Sequence, residues 1–163
     1  MESNVLSPSQ VRRVLFVCTG NSCRSVMAEG LLKKMLGQDH PIQVVSAGIG
    51  TMGGSPPTGE TLEVLNKEGV EMSGHVSQPV TPNLVNRSDL ILVMERFHLD
   101  ALLEKHPEKK DAIFLLKEFQ VSEKIPDPDV PDPIGLPLRM YERCVGIVKE
   151  SVERVHQWLT SEN

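Results

Sequence analysis

Four short apolar runs, at residues 14–17, 42–45, 90–94 and 112–116, are separated by segments whose apolar positions recur at helical spacing. No other feature limits the possible folds so strongly. The runs are rich in Val, Leu and Ile and lack in-and-out alternation, so they read as strands buried on both faces. Parallel neighbours need a crossover connection, and right-handed crossovers carry their helices back over the sheet. The predicted class is therefore α/β: a single domain with a four-stranded, parallel, twisted sheet and helices on both faces. Met27, Leu31, Leu32 and Met35 mark the first helix, which Gly37 stops. Further helices are expected over 58–68, closed by Gly69, then over 81–85 and 98–105. Leu138, Tyr141, Val145, Val148, Val152, Val155 and Leu159 form the stripe of a long terminal helix, and Cys144 beside it reads as a small buried residue. Residues 121–137 hold five of the twelve prolines and form a stiffened loop. Residues 1–11 are expected to be a flexible leader, and 12–160 the folded domain.

Composition narrows the function. Seventeen basic against twenty-two acidic residues leave a net charge of −5, which argues against nucleic acid or an anionic membrane as partner. No apolar run approaches the ~20 residues that cross a bilayer, and the N-terminus lacks the layout of a secretory signal, so a cytoplasmic location is expected. At 163 residues the chain can build a core without disulfides, and its three cysteines are an odd number. That combination directs attention to a reactive thiol.

Cys18 stands just past the first strand, and Arg24 comes six residues later where a helix begins. Ligands of open parallel sheets collect beyond the carboxyl ends of the strands, and a loop feeding a helix N-terminus aims backbone N–H groups at one point. Gly20 and Asn21 tolerate positive φ, which lets the loop curl around an anion. Amides, helix dipole and Arg24 all favour the thiolate of Cys18. Arg24 can offer two phosphate oxygens a planar fork. The hydroxyl of Ser25 can cap the helix or donate to the thiolate.

The run Cys-Thr-Gly-Asn-Ser-Cys-Arg-Ser over 18–25 resembles the phosphate-binding loop of the low-molecular-weight protein tyrosine phosphatase family. Met27-Ala28-Glu29, Ser46-Ala47-Gly48, His75 and Val130-Pro131-Asp132-Pro133 resemble further family landmarks, in family order. The resemblance implies a cysteine-dependent protein phosphatase acting on phosphotyrosine-type monoesters. Cys18 would form a phosphocysteine, Thr19, Gly20, Asn21, Ser22, Cys23 and Arg24 would bind the phosphoryl group, and Asp132 would serve as acid and then base. Asn21, Ser25 and His75 would hold the loop and tune the thiolate. The partner is then a phosphorylated protein, and neither metal nor cofactor is called for. Asp127 lies in a second Pro-Asp-Pro and Asp129 lies nearby. The resemblance favours Asp132, which stands before Pro133-Ile134-Gly135 and the last helix as the family's acid does, whereas Asp127 lies five residues upstream. Asp127 and Asp129 read as solvated loop charge. Cys23 could bridge to Cys18 under oxidation, as the resemblance suggests, or be a small buried residue at the helix start.

Phosphotyrosine-directed members usually have an apolar residue at the Ser22 position and aromatic residues at the positions of Ile134-Gly135 and Met52. The arginine phosphatase branch resembles this chain in a small hydroxyl residue at the Ser22 position and one apolar residue plus Gly after Asp-Pro. Phosphoarginine is thus the alternative substrate. Two weaker readings are an arsenate reductase, for which the segment after residue 94 lacks a relay cysteine, and a non-catalytic phospho-residue binding module, which need not keep both Cys18 and Asp132. His40, His98, His106 and His156 have no mutual metal-ligand spacing and read as surface residues. Trp158 reads as packing.

Overall fold

The computed structural model describes residues 5–161. Strands β1 (Arg13–Cys18), β2 (Gln43–Gly48), β3 (Leu90–Val93) and β4 (Ile113–Leu115) form one parallel sheet in the order β2-β1-β3-β4. Helices α1 (Arg24–Leu36), α2 (Gly59–Lys67), α3 (Pro82–Arg87), α4 (Arg96–Lys105) and α5 (Leu138–Leu159) complete the α/β domain. Successive side chains of a strand point to opposite faces. Val14, Phe16 and Cys18 accordingly enter the core shared with α1, α2 and α5, while Leu15 and Val17 enter the core shared with α3 and α4. Both layers bury full rows of apolar side chains, each stabilising by ~1.5–3 kcal/mol relative to exposure.

β2 begins one residue later than the apolar run suggests and continues through Ser46, Ala47 and Gly48, because it stays paired with β1 up to Cys18. α4 starts at Arg96, two residues before the expected start. α1 is not a one-sided amphipathic helix: Arg24 to Leu32 are all buried, since the sheet covers one side and α5 the other. The leader expected over 1–11 lies outside the described residues at positions 1–4. Its later part is built into the fold. Pro8–Gln10 form a 3-10 turn, the Ser7 N–H donates to Gln10 Oε1 at 2.8 Å, and Pro8 and Val11 are buried. Leu6 packs against the same core, so the few apolar side chains of this polar stretch anchor it. Among the described residues, no helix is long and apolar enough to cross a membrane.

Candidate active site

β1 delivers Cys18 to the carboxyl edge of the sheet, and the connection after β2 shapes the loop that begins there. Ile49 N–H donates to the Cys18 carbonyl at 3.0 Å, Gly50 N–H to that of Thr19 at 2.8 Å, and Thr58 N–H to that of Ser22 at 3.2 Å. With these carbonyls fixed on the outside, the amides of the loop turn inward. A Cβ at Gly48 would stand 2.5 Å from the Thr19 carbonyl oxygen, so this approach of β2 to the loop requires glycine. Asn21 takes the left-handed turn at φ 53°, whereas Gly20 has no positive φ. The Asn21 N–H donates to Cys18 Sγ at 3.3 Å. The first backbone bond of α1 runs from Met27 N–H to the Cys23 carbonyl, which leaves the earlier amides of that turn without helical partners and free to receive an anion.

Side chains hold this curl from beneath. Asn21 Nδ2 donates to Ser25 Oγ at 2.8 Å and to Ser46 Oγ at 2.9 Å, while its Oδ1 accepts from Gln78 N–H at 3.0 Å. Ser25 Oγ also lies 2.9 Å from Cys18 Sγ, and against a thiolate, which can only accept, its own hydrogen points to the sulfur. Contact with the sulfur, not helix capping, is the arrangement of Ser25, and the N-cap Cys23 makes no side-chain cap bond. By the same logic Ser46 donates to Glu29 Oε1 at 2.7 Å, and Lys33 Nζ donates to Glu29 Oε2 at 2.8 Å. His75 Nε2 lies 3.3 Å from the Asn21 carbonyl, and its Nδ1 lies 4.0 Å from Glu29 Oε1. Asn21, Ser25 and Ser46 are wholly buried, where unmatched polar groups would be costly. Sequence reasoning assigns no such part to Ser46 and Glu29. Ser25 and Glu29 sit four residues apart on one helix face, and that spacing is the available signal.

Arg24 is 2% exposed. Its Nη1 donates to Glu95 Oε2 at 2.7 Å and to the Val130 carbonyl at 2.8 Å, which uses both hydrogens. The opposite edge of the guanidinium, Nε and Nη2, is left to grip two oxygens of one anion. Nη2 also lies 3.5 Å from Asp132 Oδ2. Asp132 is 40% exposed, and its Oδ1 accepts from Ile134 N–H at 3.1 Å. The other two carboxylates of the proline-rich loop serve the loop itself: Asp127 Oδ1 accepts from Asp129 N–H, and Asp129 Oδ1 accepts from Arg96 N–H. Cys144, buried as expected, lies 3.9 Å from the Pro131 carbonyl, and burial pushes its thiol up to about 12.

His98 is not a surface residue. It is fully buried in the first turn of α4, and His106 is buried as well. His98 Nδ1 accepts from Glu95 N–H at 3.0 Å, which assigns the hydrogen to Nε2, and Nε2 donates to Thr19 Oγ1 at 2.9 Å. Burial first, and the Arg24 charge second, lower its pKa to about 4, with Asp132 opposing. The imidazole is therefore a neutral strut between the anion loop and Glu95, the partner of Arg24. Sequence reasoning misses both Glu95 and His98, although each lies within five residues of the end of the run 90–94.

Cys23 Sγ lies 3.7 Å from Ser22 Oγ, 3.6 Å from Thr58 Oγ1 and 3.9 Å from the Tyr141 hydroxyl. All three cysteines are free thiols. Burial raises the Tyr141 phenol to about 12. Among the described residues, no three His, Cys, Asp or Glu side chains are gathered as metal ligands would be.

Known proteins share this arrangement of chain. A family model described as low molecular weight phosphotyrosine protein phosphatase matches residues 13–163. The probable low molecular weight protein-tyrosine-phosphatase EpsP of Ralstonia nicotianae is 34% identical over 143 residues, 88% of this chain and 92% of its own. The protein-arginine-phosphatase of Geobacillus stearothermophilus is 34% identical over 150 residues, 92% of this chain and 97% of its own. Among solved structures, the YwlE arginine phosphatase in a cysteine-to-serine mutant with a phosphorylated active-site serine superposes with a TM-score of 0.80. It is 30% identical and covers 93% of this chain and 97% of that one.

Proposed function

The chain belongs to the low molecular weight phosphotyrosine protein phosphatase family, and from that premise we propose how its own residues carry out hydrolysis of a phosphorylated protein. The Cys18 thiolate attacks phosphorus, an S–P bond forms as the bond to the leaving oxygen breaks, and Asp132 gives that oxygen its proton. Water then attacks the phosphocysteine, Asp132 takes a proton from the water, and thiolate and inorganic phosphate are released. The free edge of Arg24 and the inward amides meet the charge on the equatorial oxygens in both steps. Asn21, Ser25 and His75 act through the sulfur and the loop: Ser25 donates to the thiolate, and Asn21 fixes Ser25. One observation carries this reading. A buried guanidinium, fastened on one edge by Glu95 and Val130, keeps its other edge beside both the Cys18 loop and the Asp132 carboxyl. The phosphorylated serine of the YwlE mutant supports a phosphoenzyme. Three free thiols suit a reducing compartment such as the cytoplasm.

Phosphotyrosine-type esters are the proposed substrate class. Phosphoarginine is the second reading, favoured by the Ser22 hydroxyl in the loop and by Ile134-Gly135 where an aryl ring would want aromatic neighbours. Hydrolysis of para-nitrophenyl phosphate in the presence of chelator, abolished by Cys18→Ser, is the expected outcome, and full activity of that variant would remove Cys18 from the mechanism. Phosphotyrosine and phosphoarginine peptides compared with wild type, Ser22→Ile and Ser22→Thr decide the substrate. The Ile variant should move preference toward phosphotyrosine and the Thr variant toward phosphoarginine. Unchanged selectivity in both would discard Ser22 as the filter.

A further inference from the structure

Soluble domains scatter single exposed apolar side chains, but a group of them around one opening marks a surface that is covered in use. Among the described residues the large exposed apolar side chains are Val5, Met52, Val76, Phe97, Ile134 and Leu136. All but Val5 sit on the connections at the carboxyl edge of the sheet, where the anion loop opens. Met52 is 98% exposed, and the other four are between 45% and 58% exposed.

Val76, Phe97 and Ile134 each adjoin a residue already tied to the site, and Met52 and Leu136 are linked to the same segments by backbone hydrogen bonds. Val76 comes directly after His75, which reaches the Asn21 carbonyl. The segment carrying Val76 is laced to the one carrying Met52 by Gly54 N–H to the Ser77 carbonyl, Ser77 N–H to the Ser55 carbonyl, and Ser55 N–H to Ser77 Oγ. The Phe97 ring lies 4.1 Å, centroid to centroid, from that of His98, which is bonded to Thr19. Ile134 lies two residues after Asp132 and donates its N–H to that carboxylate, while Leu136 N–H closes a turn on the Pro133 carbonyl. The apolar side chains therefore come from three separate connections that converge on the anion loop and its acid. Phe16, Tyr141 and Phe119 are buried, and Phe114 and Trp158 pack on Phe119, so Phe97 alone of the six aromatic residues is exposed.

We propose that Val76, Phe97 and Leu136, with Met52 and Ile134, form an apolar collar that docks a polypeptide segment carrying apolar side chains on both sides of its phosphorylated residue. This rests on the phosphatase reading. A phosphoryl group that enters the loop brings its own chain across the collar, and that continuity makes the substrate protein the occupant. In an extended segment the side chains two residues before and two residues after the phosphorylated one share its direction, so they meet the collar.

The test compares two phosphotyrosine peptides, one with Leu and one with Ser at those two positions. The enzymes are the wild type, Val76→Ser, Phe97→Ser, Leu136→Ser and the triple variant, with para-nitrophenyl phosphate as the small control. Wild type should favour the Leu peptide by about tenfold in kcat/KM, through KM. Each single substitution should lower that preference, and the triple variant should abolish it while the small substrate is turned over as before. Equal use of the two peptides by wild type, or a preference that survives the triple substitution, overturns the collar. So does capture of the wild type by phosphatidylcholine vesicles, or a dimer in solution, that the triple variant loses, since lipid or a second copy would then be the occupant. Failure of the wild type to hydrolyse the small substrate would instead overturn the phosphatase reading.

Discussion

The anion loop over 18–25 and the proline-rich loop over 121–137 face each other across Arg24, yet they are held in opposite ways. In the first, Cys18, Asn21, Cys23, Arg24 and Ser25 are buried, and the side chains of Asn21 and Ser25 are locked by hydrogen bonds to one another and to Ser46. In the second, most residues are exposed or half-buried, and the chain is pinned mainly at Val130, whose N–H donates to the Met94 carbonyl at 2.8 Å and whose carbonyl accepts from Arg24. The difference matches the two tasks proposed for these loops. Stabilising a dianion demands donors already in place, because reorganising them during the reaction would consume the gain. Moving a proton demands a carboxyl that meets both a leaving group and a water, and the proposed acid Asp132 is accessible on a proline-rich backbone.

The heaviest test of this contrast falls on the rigid side. Arg24→Lys keeps the charge but loses the fork, and with it the bonds to Glu95 and to the Val130 carbonyl. A loss of roughly 10³-fold in kcat is expected, read with para-nitrophenyl phosphate. Thermal unfolding should show the variant still folded. Activity within a few-fold of wild type would mean that a point charge suffices there, and the fixed geometry of the loop would cease to matter.

On the accessible side the effects should be smaller and should depend on the substrate. Asp132→Asn is expected to slow kcat roughly 10²-fold with a phosphotyrosine peptide and less with para-nitrophenyl phosphate, whose leaving group needs less help from a proton. Asp127→Asn should stay within about twofold, since that carboxylate caps Asp129 N–H. The reverse ordering would transfer the acid role to Asp127 and break the contrast at its accessible end.

What can be read from the sequence divides along the same line. The strand, the curl and the helix over 14–36 are legible because each of their determinants is local: an apolar run, a residue that tolerates positive φ, a helical period. Asp132 is singled out by the likeness of its Pro-Asp-Pro-Ile-Gly surroundings to the family's acid loop, not by a local helix signal, since α5 begins only at Leu138. Glu95 and His98 are not legible, because their roles depend on β3 lying beside β1. That neighbourhood is a property of strand order, which the alternation of elements leaves open. His98 also looks ordinary for a physical reason: a histidine in an exposed helical turn and one buried as a neutral strut have the same spacing. Leu6, Pro8 and Val11 escape notice similarly, since isolated apolar residues in a polar stretch carry no period.

His98 supplies the finest discrimination between the locked and the accessible halves. Its pKa is about 4 in the folded chain against 6.5 when unperturbed, so between these values the unfolded chain binds more protons than the folded one. Stability must then fall as pH drops through that window, by up to ~1.4 kcal/mol per pH unit from this residue, and level off below it, where both states are protonated. Carboxylates add their own acid dependence, so the informative quantity is the difference in urea unfolding free energy between wild type and His98→Gln at each pH. Glutamine can still accept from Glu95 N–H and donate to Thr19 but takes up no proton. Wild type should lose ground to the variant steadily from about pH 6.5 down to about pH 4. A difference that stays constant over that interval would mean that His98 is charged or wet in the folded protein, and the loop would then be fastened to α4 less firmly than Thr19, His98 and Glu95 imply.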